Sequence, residues 1–427
     1  MSFKLSICIP TYNRKRNLSE LLDALAEING INSPKSEREI EIVVSDNAST
    51  DGTKEYMEDL VKKEKFQNLR YHRNDENIGP DNNFVMCYKL AKGDYVWLLG
   101  DDDMVMGDII SIIMEVTQKY SPGVVYIDIT KEKMSDKLDS GMNDRVSVCY
   151  DYVDFMFGMD YLLLISAFIC KREIIATIDF SEYDQCKEFK YSLAIFKCAF
   201  ESVTNILVAG QNYLKAPTSA NIWDRYDAIR ETVLINDIRF EEEKELYYWF
   251  VRKIIYQHKL STLIISNILW CRKIMPENSL KWKKSIALDT LEKNYPIFKA
   301  GYEWSLECPI EAHDISWGME KFQEIKKESI VDIAKKLSII YIYGAGYWGK
   351  YYKQLLSENG VAINGFIVSD YKEITEGNVH HLSEILPTDP EAGILIAVEY
   401  GKDVFDILRE LLASEWRNRM DNVIFIT

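Results

Sequence analysis

The chain lacks the features that mark several classes of protein. With only 10 prolines and 20 glycines in 427 residues, it is neither collagen-like nor of low complexity. No apolar run reaches the roughly 18 uninterrupted residues that a membrane-spanning helix needs. Basic residues are outnumbered by acidic ones, 51 to 67, so we expect no nucleic-acid partner, because such a protein needs a basic surface to neutralise phosphates. What remains is a globular chain, 47% apolar, in which any phosphate must be bound locally.

Patterned cysteines and a secretion signal are also absent from the sequence. The eight cysteines are scattered, with no Cys-x-x-Cys pair, which predicts reduced thiols in the core rather than disulfides or a zinc site. The first residues, Met1 to Leu5, lead directly into a strand-like segment without the charged and apolar regions of a signal peptide. We therefore expect a cytoplasmic protein, and a peripheral contact at the inner face of the membrane is left open.

The hydrophobic pattern divides the chain into three predicted domains, in line with about 150 residues per domain. Residues 1–223 begin with alternating strand-like and helix-like segments, for example an apolar run at 5–9 and leucines at helical spacing in 17–27. This alternation predicts an α/β domain built from parallel βαβ units. Residues 224–337 have long helical patterns rich in Trp, Tyr and Lys, and predict a helical middle domain. The βαβ pattern then restarts and predicts a small α/β domain over 338–427.

Polar loops follow three of the strand-like segments in the first domain. They are Pro10-Thr11-Tyr12-Asn13-Arg14, the segment from Asp46 to Thr53, and Gly100-Asp101-Asp102-Asp103. Open parallel sheets bind ligands beyond the carboxyl ends of their strands, so we expect these loops to converge on one site. The middle loop, taken alone, is also typical of a turn followed by a helix N-cap.

Three consecutive aspartates, Asp101 to Asp103, follow the fully apolar run from Val96 to Leu99. Like charges this close repel and raise one another's pKa, so a folded site normally balances them with a cation. Carboxylate oxygens suit Mg²⁺ or Mn²⁺, and Mg²⁺ typically takes one or two carboxylates together with substrate phosphates. An exposed acidic turn is the alternative, but the apolar strand directs the acids to the carboxyl edge of the sheet. The sequence therefore predicts a divalent metal at this loop.

Residues 6–14 (SICIPTYNR), 43–53 (VVSDNASTDGT) and 93–103 (GDYVWLLGDDD) together resemble the inverting GT-A glycosyltransferases of family 2, in order and in spacing. The resemblance covers about residues 4–215 and implies an enzyme that moves a sugar from a nucleotide-sugar donor to a hydroxyl acceptor. In that family the first loop and the acid after the second strand hold the nucleobase and ribose. The acidic loop binds the diphosphate through Mn²⁺ or Mg²⁺.

The resemblance implies a role for particular residues of this chain. Donor-nucleotide binding is assigned to Pro10, Thr11, Tyr12, Asp46 and Asp101, and metal binding to Asp102 and Asp103. One departure leaves two registers open. The family commonly has Leu-Asp-x-Asp, whereas an ungapped match puts Gly100 at the first acid and Asp102 at the second. A shift by one residue makes Asp101 and Asp103 the pair instead.

An inverting transferase also needs a carboxylate base that takes the proton from the attacking hydroxyl. The family usually places this base at the start of a helix late in the domain, which here corresponds to the stretch from Phe180 to Tyr191. The stretch lacks the family's usual Glu-Asp pair, and its nearest candidates are Asp184 and Glu188. We favour Glu188 because it lies closer to the apolar helix that follows. The alternative is that both are surface or capping acids.

A glycine-rich turn stands near the start of the third predicted domain. Its glycines are Gly344, Gly346 and Gly349, and Asp370 follows the next strand-like segment. A strand, this turn and a helix are the context of a dinucleotide site, and the domain resembles the small Rossmann-type modules appended to carbohydrate-modifying proteins. The prediction is either a second nucleotide site, for NAD or another nucleotide, or glycines that only allow the helix to approach the sheet. The bulky Tyr347 and Trp348 make NAD the weaker choice.

The function that combines these features is a metal-dependent inverting glycosyltransferase of cell-surface polysaccharide or glycan assembly. Its predicted partners are a nucleotide-sugar donor and a glycan or lipid-linked acceptor. A basic, aromatic helical stretch at residues 246–274 suits either a membrane interface or buried packing. The alternative function is an NAD-linked oxidoreductase or nucleotide sensor that uses the C-terminal turn, on a silent GT-A scaffold.

Overall fold

The computed structural model describes residues 3–28, 39–63, 66, 68–134, 139–140, 144–150, 155, 159, 164–183, 190–211, 214–215, 265–266, 268–269, 272–273, 296–369, 378–398 and 402–426. The chain forms two compact units, residues 1–223 and 224–427. Three of the predicted site residues, Asp184, Glu188 and Asp370, lie outside the described residues.

The first unit contains alternating strands and helices over most of its length. In chain order these are β1 (Leu5–Thr11), α1 (Lys15–Glu27), β2 (Ile40–Asp46), α2 (Thr53–Lys62), β3 (Leu69–Arg73), α3 (Pro80–Leu90), β4 (Tyr95–Leu98), β5 (Met104–Val105), α4 (Ile109–Tyr120), β6 (Val124–Asp128), β7 (Asp139–Ser140), β8 (Val146–Cys149), β9 (Phe168–Lys171), α5 (Arg172–Ile175), α6 (Lys190–Glu201), β10 (Asn205–Ala209) and β11 (Leu214–Lys215). Short 3-10 helices lie at Ile165–Ala167 and Phe180–Tyr183.

The main sheet of the first unit has nine strands in the order β3-β2-β1-β4-β9-β6-β10-β8-β7. The strands β3, β2, β1 and β4 run parallel, as the alternation of strands and helices predicts. Strand β9 enters between β4 and β6 and is antiparallel to both. Because β1, β2 and β4 are parallel neighbours, the three polar loops that follow them emerge at one edge of the sheet.

The buried face of helix α1 follows from its own sequence, whereas its first residue is fixed by a contact with a distant loop. Four leucines recur at helical spacing and are all buried, which places one face of the helix in the core around the sheet. These are Leu18, Leu21, Leu22 and Leu25. The helix begins at Lys15, two residues earlier than the leucine spacing predicts. The reason is that Asp51, in the loop after β2, accepts a hydrogen bond from the Lys15 backbone nitrogen at 2.8 Å and so satisfies one open N–H group of the helix N-terminus.

The second unit contains two long helices followed by an α/β arrangement. Its elements are α7 (Pro296–Glu307), α8 (Ile315–Ala334), β12 (Ile339–Tyr343), α9 (Tyr347–Glu358), β13 (Gly365–Ile367), β14 (Val379–His380), β15 (Ala392–Ile396), α10 (Lys402–Leu412) and β16 (Val423–Phe425). The five strands are all parallel, in the order β14-β13-β12-β15-β16. Counted along the chain this is the order 3-2-1-4-5, which doubly wound nucleotide-binding sheets share. The Rossmann-like classification stays a prediction that this order supports.

The helices before the five-stranded sheet belong to its core. Ile330 and Ala334 of α8 are buried in one hydrophobic cluster with Ile340 and Ile342 of β12 and Leu395 of β15. The domain boundary predicted between residues 337 and 338 therefore runs through a continuous apolar cluster. Helices α7 and α8 lie within the region that the sequence predicted to be helical, and the helical middle domain as a whole stays a prediction. Helical spacing carries no information about which element an apolar helix face contacts.

Two further expectations concern cysteines and membrane spans. Six of the eight cysteines fall among the described residues, and all six are buried free thiols, as expected for reduced cysteines in a core. In the stretch 246–274, the described apolar residues Ile265, Ile268 and Leu269 are fully buried. No helix in the described part of the chain is long and apolar enough to cross a bilayer.

Candidate functional site

The carboxyl ends of β1 and β4 and the first turn of α3 enclose a pocket of about 320 Å³. The pocket is lined by Pro10, Thr11, Tyr12, Arg14, Pro80, Asn83, Phe84, Gly100, Asp101, Asp102 and Ile165. Two of the three loops predicted to converge, those after β1 and β4, contribute to this lining. The sequence predicted five of the lining residues as site residues, namely Pro10, Thr11, Tyr12, Asp101 and Asp102.

The loop after β1 is held rigidly against the loop after β2. The Asn47 backbone nitrogen donates to the Thr11 carbonyl at 2.9 Å, and the Thr50 nitrogen donates to the Asn13 side-chain oxygen at 2.7 Å. Asn13 has a positive φ of 54°, a conformation that asparagine tolerates better than most residues. These contacts leave the ring of Tyr12 44% exposed beside the pocket, where it can stack on a planar group.

Asp101 is the buried centre of the acidic turn. Its Oδ2 accepts a hydrogen bond from the Thr11 hydroxyl at 2.7 Å, and its Oδ1 accepts one from Arg14 Nη1 at 3.0 Å. The same nitrogen of Arg14 donates to Asp102 Oδ2 at 2.7 Å. Burial raises the pKa of Asp101 to about 6, although the Thr11 hydrogen bond and the Arg14 charge oppose that shift. The turn thus presents two neighbouring carboxylates bridged by one guanidinium.

Asp103 contacts Ser166, whereas its two neighbours contact Arg14. It is 4% exposed and is hydrogen-bonded to the Ser166 hydroxyl, which also accepts from the Gly100 backbone nitrogen at 2.8 Å. Burial raises the pKa of Asp103 to about 6 despite the Ser166 hydrogen bond. Asp103 is not among the residues that line the pocket, so the structure brings Asp101 and Asp102 together there but not Asp103. Its predicted role as a metal ligand stays a prediction without geometric support.

Gly100 lies close to the side chains of two aspartates of the turn. A Cβ atom at residue 100 would lie 2.7 Å from Asp103 Oδ2 and 3.3 Å from Asp102 Oδ1. Both distances are shorter than an ordinary van der Waals contact, so an acid at this position would displace the two aspartates that follow. A side chain at residue 100 would therefore require the carboxylates of Asp102 and Asp103 to shift.

Asp46 is fully buried and is saturated by internal contacts. Its Oδ1 accepts from the Ser49 backbone nitrogen at 2.9 Å, and its Oδ2 accepts from the Tyr71 hydroxyl at 2.7 Å. Arg73 Nε lies 3.5 Å from the same Oδ2. Burial, together with the hydrogen bond to Asp46, raises the pKa of Tyr71 well above its ordinary value. The predicted contact of Asp46 with the donor stays a prediction, and in the structure Asp46 organises the loop after β2.

Helix α3 supplies a wall of the pocket that the sequence did not single out. Asn83 Oδ1 accepts from the Ser45 hydroxyl at 2.7 Å, and Asn83 Nδ2 donates to the Ser45 carbonyl at 2.9 Å, which ties the helix to β2. Asn74 Nδ2 donates to Asn83 Oδ1 at 3.1 Å. The sequence feature that could have indicated this wall is Pro80 at the first helical position, with two asparagines in the first turn of the helix.

Comparison with known proteins identifies the domain that carries this pocket. The model of the family described as glycosyl transferase family 2 matches residues 6–174, a range that contains every described residue lining the pocket. The chain contains a family 2 glycosyltransferase domain. The family resemblance stated from the three sequence blocks is confirmed for this part of the chain.

Curated relatives of the glycosyltransferase domain come from several bacteria. The chain is 42% identical over 135 residues to abequosyltransferase RfbV of Salmonella typhimurium, covering 32% of this chain and 38% of that protein. It is 29% identical over 125 residues to the GalNAc(5)-diNAcBac-PP-undecaprenol beta-1,3-glucosyltransferase of Campylobacter jejuni, covering 29% and 37%. The matched part thus spans well under half the length of these relatives.

The chain also has some similarity to solved structures. The S. aureus TarS 1–349 crystal structure has a TM-score of 0.48 at 16% identity, over 76% of this chain and 92% of that one. The mannosyltransferase PcManGT from Pyrobaculum calidifontis, in complex with GDP-Man and Mn²⁺, has a TM-score of 0.44 at 14% identity, over 78% and 88%.

The acidic turn of the glycosyltransferase domain can hold a divalent metal through one carboxylate. The described part of the chain contains no group of three or more His, Cys, Asp or Glu side chains placed to hold a metal. Asp102 lines the pocket with its side chain 28% exposed, and only its Oδ2 is hydrogen-bonded to a described residue. One carboxylate with a free oxygen fits the mode in which Mg²⁺ or Mn²⁺ takes one or two protein carboxylates together with substrate phosphates.

Within the stretch predicted to supply the catalytic base, residues 184–189 lie outside the described residues, but the residues on either side of them contact α3. Before it, Phe180 stacks on Tyr88 with ring centroids 6.0 Å apart. After it, the Lys190 backbone nitrogen donates to Asp81 Oδ2 at 2.7 Å. Tyr191 meets Phe84, a pocket residue, edge to face at 5.8 Å. The residues on both sides of 184–189 therefore contact the helix that forms the pocket wall.

In the glycine-rich turn of the second unit, local geometry requires glycine at two positions. Gly344 has a φ of +102°, which favours glycine, and a Cβ at Gly349 would lie 1.8 Å from the Gly344 carbonyl oxygen. A Cβ at Gly346 would meet nothing within 4 Å. The backbone conformation accounts for Gly344, and the close approach of α9 to the turn accounts for Gly349. The comparisons do not support NAD or an oxidoreductase, and a second nucleotide site at this turn stays a prediction.

Proposed function

We propose that the protein is a metal-dependent inverting glycosyltransferase that moves a sugar from a nucleotide-sugar donor to a hydroxyl acceptor. The observation that carries this proposal is the pocket of the family 2 domain, in which Asp101 and Asp102 face an arginine and an exposed tyrosine. Transfer at the anomeric carbon expels a nucleoside diphosphate. A divalent metal on its phosphates stabilises the negative charge that develops on the leaving group.

The residues of the pocket divide the tasks of donor binding. Asp102 would hold the metal, because it combines exposure to the pocket with a carboxylate oxygen that makes no hydrogen bond to a described residue. Tyr12 offers an aromatic face to the nucleobase. Thr11 orients Asp101 through its hydroxyl, which supports our assignment of Asp101 to the donor rather than to the metal.

A carboxylate in the segment 184–189 acts as the base in this proposal. The base must reach the acceptor hydroxyl across the anomeric carbon from the diphosphate. Glu188 remains our first choice and Asp184 the second, as the sequence indicates. The contacts of Phe180, Lys190 and Tyr191 with α3 support this location because they tie both flanks of the segment to the pocket wall.

The acceptor is proposed to be a glycan or a lipid-linked glycan of the cell surface. The relatives include an enzyme named for transfer to an undecaprenol-linked glycan and one named for transfer to poly(ribitol-phosphate), both of bacterial origin. These names support the class of acceptor and not a particular sugar. A cytoplasmic protein in peripheral contact with the inner membrane face would meet such acceptors as they are assembled.

Donor binding in the presence and absence of metal tests the proposal. We expect one of UDP-, GDP-, CMP- or dTDP-sugars to bind at least roughly tenfold more tightly with Mn²⁺ than with EDTA, a difference of about 1.4 kcal/mol, when measured by calorimetry. Asp102→Asn should remove the metal effect. The matched control is Asp59→Asn in α2, an exposed carboxylate paired with Lys63, which should leave it intact. Equal affinity in Mn²⁺ and EDTA would contradict the role of the metal.

The anomeric configuration of the product tests the inverting mechanism separately. With a verified acceptor, the product formed by an inverting enzyme has the opposite anomeric configuration to the donor, and one-dimensional NMR distinguishes the two. Glu188→Gln should abolish transfer while leaving donor affinity nearly intact, because the donor contacts are made by other residues. Wild-type transfer rates in both Glu188→Gln and Asp184→Asn would place the base elsewhere.

A further inference from the structure

Arg14 is the cationic side chain of the pocket. Among the described residues that line it, Arg14 has the one positive charge, while Asp101 and Asp102 are both acidic. A single nitrogen, Nη1, contacts both carboxylates, at 3.0 Å from Asp101 Oδ1 and 2.7 Å from Asp102 Oδ2. The guanidinium therefore balances the negative charge of two carboxylates. One of them, Asp102, is the residue that we assign to the metal.

The Arg14 side chain is not needed to form the helix that follows it. Arg14 is the N-cap residue of α1, but its side chain makes no capping hydrogen bond. Its backbone carbonyl accepts from the Leu18 nitrogen at 3.0 Å, a contact that any residue at this position can make. The Lys15 nitrogen is satisfied by Asp51. The side chain is 34% exposed, so the guanidinium has solvent-accessible space beside the turn.

We propose that Arg14 is the built-in counter-cation of the acidic turn and that a divalent ion competes with it for Asp102. This inference rests on the proposed function, because it takes Asp102 as the metal-binding carboxylate. Two cations on one carboxylate repel each other, so the metal binds the protein alone weakly. A donor diphosphate changes this balance, since it brings negative charge that accommodates both cations. Arg14 in this way couples metal binding to donor binding.

The affinity for Mn²⁺ alone, measured by calorimetry on the full chain without nucleotide, tests the proposal. Arg14→Met removes the competing charge, and we expect Mn²⁺ to bind at least roughly fivefold more tightly. Arg14→Lys keeps the charge and should remain within about twofold of wild type. The matched control is Arg16→Met, two residues further along the chain, where the side chain is 89% exposed and paired with Glu20. It should also remain within about twofold.

The outcomes separate this inference from the proposed function. If Asp102→Asn abolishes Mn²⁺ binding while Arg14→Met leaves it unchanged or weaker, Arg14 does not compete with the metal and the inference is overturned, whereas the metal site stands. If Asp102→Asn leaves Mn²⁺ binding unchanged, the proposed metal site itself fails. The melting temperature of each variant is measured in parallel. Should Arg14→Met lower it strongly, Arg14→Gln removes the charge but keeps hydrogen-bond donors, and the same tightening is expected.

Discussion

At the scale of single residues, the shape of the acidic turn depends on Ser166. Its hydroxyl contacts Asp103 and the Gly100 nitrogen, and its carbonyl oxygen accepts from Trp97 Nε1 at 2.7 Å. Ser166→Ala leaves the buried Gly100 nitrogen without its acceptor, which should destabilise the fold by about 1–3 kcal/mol. Because the turn then loses its anchor, we expect affinity for Mn²⁺ with nucleotide to fall as well. Urea unfolding and calorimetry measure the two effects.

A buried hydroxyl elsewhere in the same unit serves as the control for Ser166. Thr117 lies in α4, which contributes no described residue to the pocket, and its hydroxyl donates to the Ile113 carbonyl at 2.7 Å. Thr117→Ala should leave ligand affinity within about twofold, a change of under 1 kcal/mol. Equal ligand affinity in Ser166→Ala and Thr117→Ala would mean that Ser166 has only a structural role.

Some residues of the site could be predicted from the sequence, and others could not. The aspartates and Thr11 could be predicted because a polar loop after an apolar strand is a local pattern. Ser166 could not, because it lies 63 residues from its partner Asp103 and has no unusual neighbours in the sequence. The bridging role of Arg14 could not either, since a basic residue after a strand is common and its partners are 87 and 88 residues away. Contacts at such separations follow from the sheet order and not from spacing.

At the scale of secondary structure, Asp51 links the starts of two helices. Its Oδ2 accepts from the Lys15 nitrogen of α1, and its Oδ1 accepts from the Thr53 nitrogen of α2 at 3.1 Å. We expect Asp51→Ala to destabilise the protein by about 1 kcal/mol at pH 7, as for the loss of a helix cap. The exposed Asp59→Ala, as a control, should cost less than about 0.5 kcal/mol. Urea unfolding at equilibrium provides both values.

The contribution of Asp51 should depend on pH with a definite sign. Burial, the largest single influence, raises the pKa of Asp51, but the hydrogen bonds from Thr53 and Lys15 together outweigh it and lower the pKa below its ordinary value. A carboxylate with a lowered folded-state pKa stabilises the fold fully above its unfolded-state pKa, about pH 4, and loses that contribution as the pH falls through the lowered value. The difference between wild type and Asp51→Ala should therefore be constant from pH 5 to 8 and shrink below about pH 4. A difference that grows on acidification would contradict this role.

Secondary structure was predictable where each element has its own repeating pattern. The leucines of α1 and the apolar runs of β1, β2 and β4 are such patterns, and the structure confirms them. Strand β9 was not predicted. It has only four residues, and its apolar run is too short to distinguish a strand from a loop. Its antiparallel position between β4 and β6 depends on the topology of the whole sheet.

At the scale of the whole molecule, the described lining of the pocket belongs to the first unit. Every described lining residue lies between Pro10 and Ile165, within residues 1–223. The sequence predicted the start of a different region at residue 224 from the change to helical spacing. It did not predict the shared core of α8 and the five-stranded sheet, because an apolar helix face does not specify its partner.

A fragment of residues 1–223 should therefore retain donor binding, with an affinity for the nucleoside diphosphate and Mn²⁺ within about threefold of the full chain, a change of under 1 kcal/mol.

A fragment of residues 1–335 should be less soluble than the fragment 1–223, although it is longer. It retains Val331 and Ala334 of α8 but removes the sheet residues with which they are buried, so an apolar surface becomes exposed. We expect the longer fragment to aggregate in size-exclusion chromatography and the shorter one to remain monodisperse. A well-folded fragment 1–223, with native circular dichroism but without nucleotide affinity, would show that donor binding requires residues beyond 223.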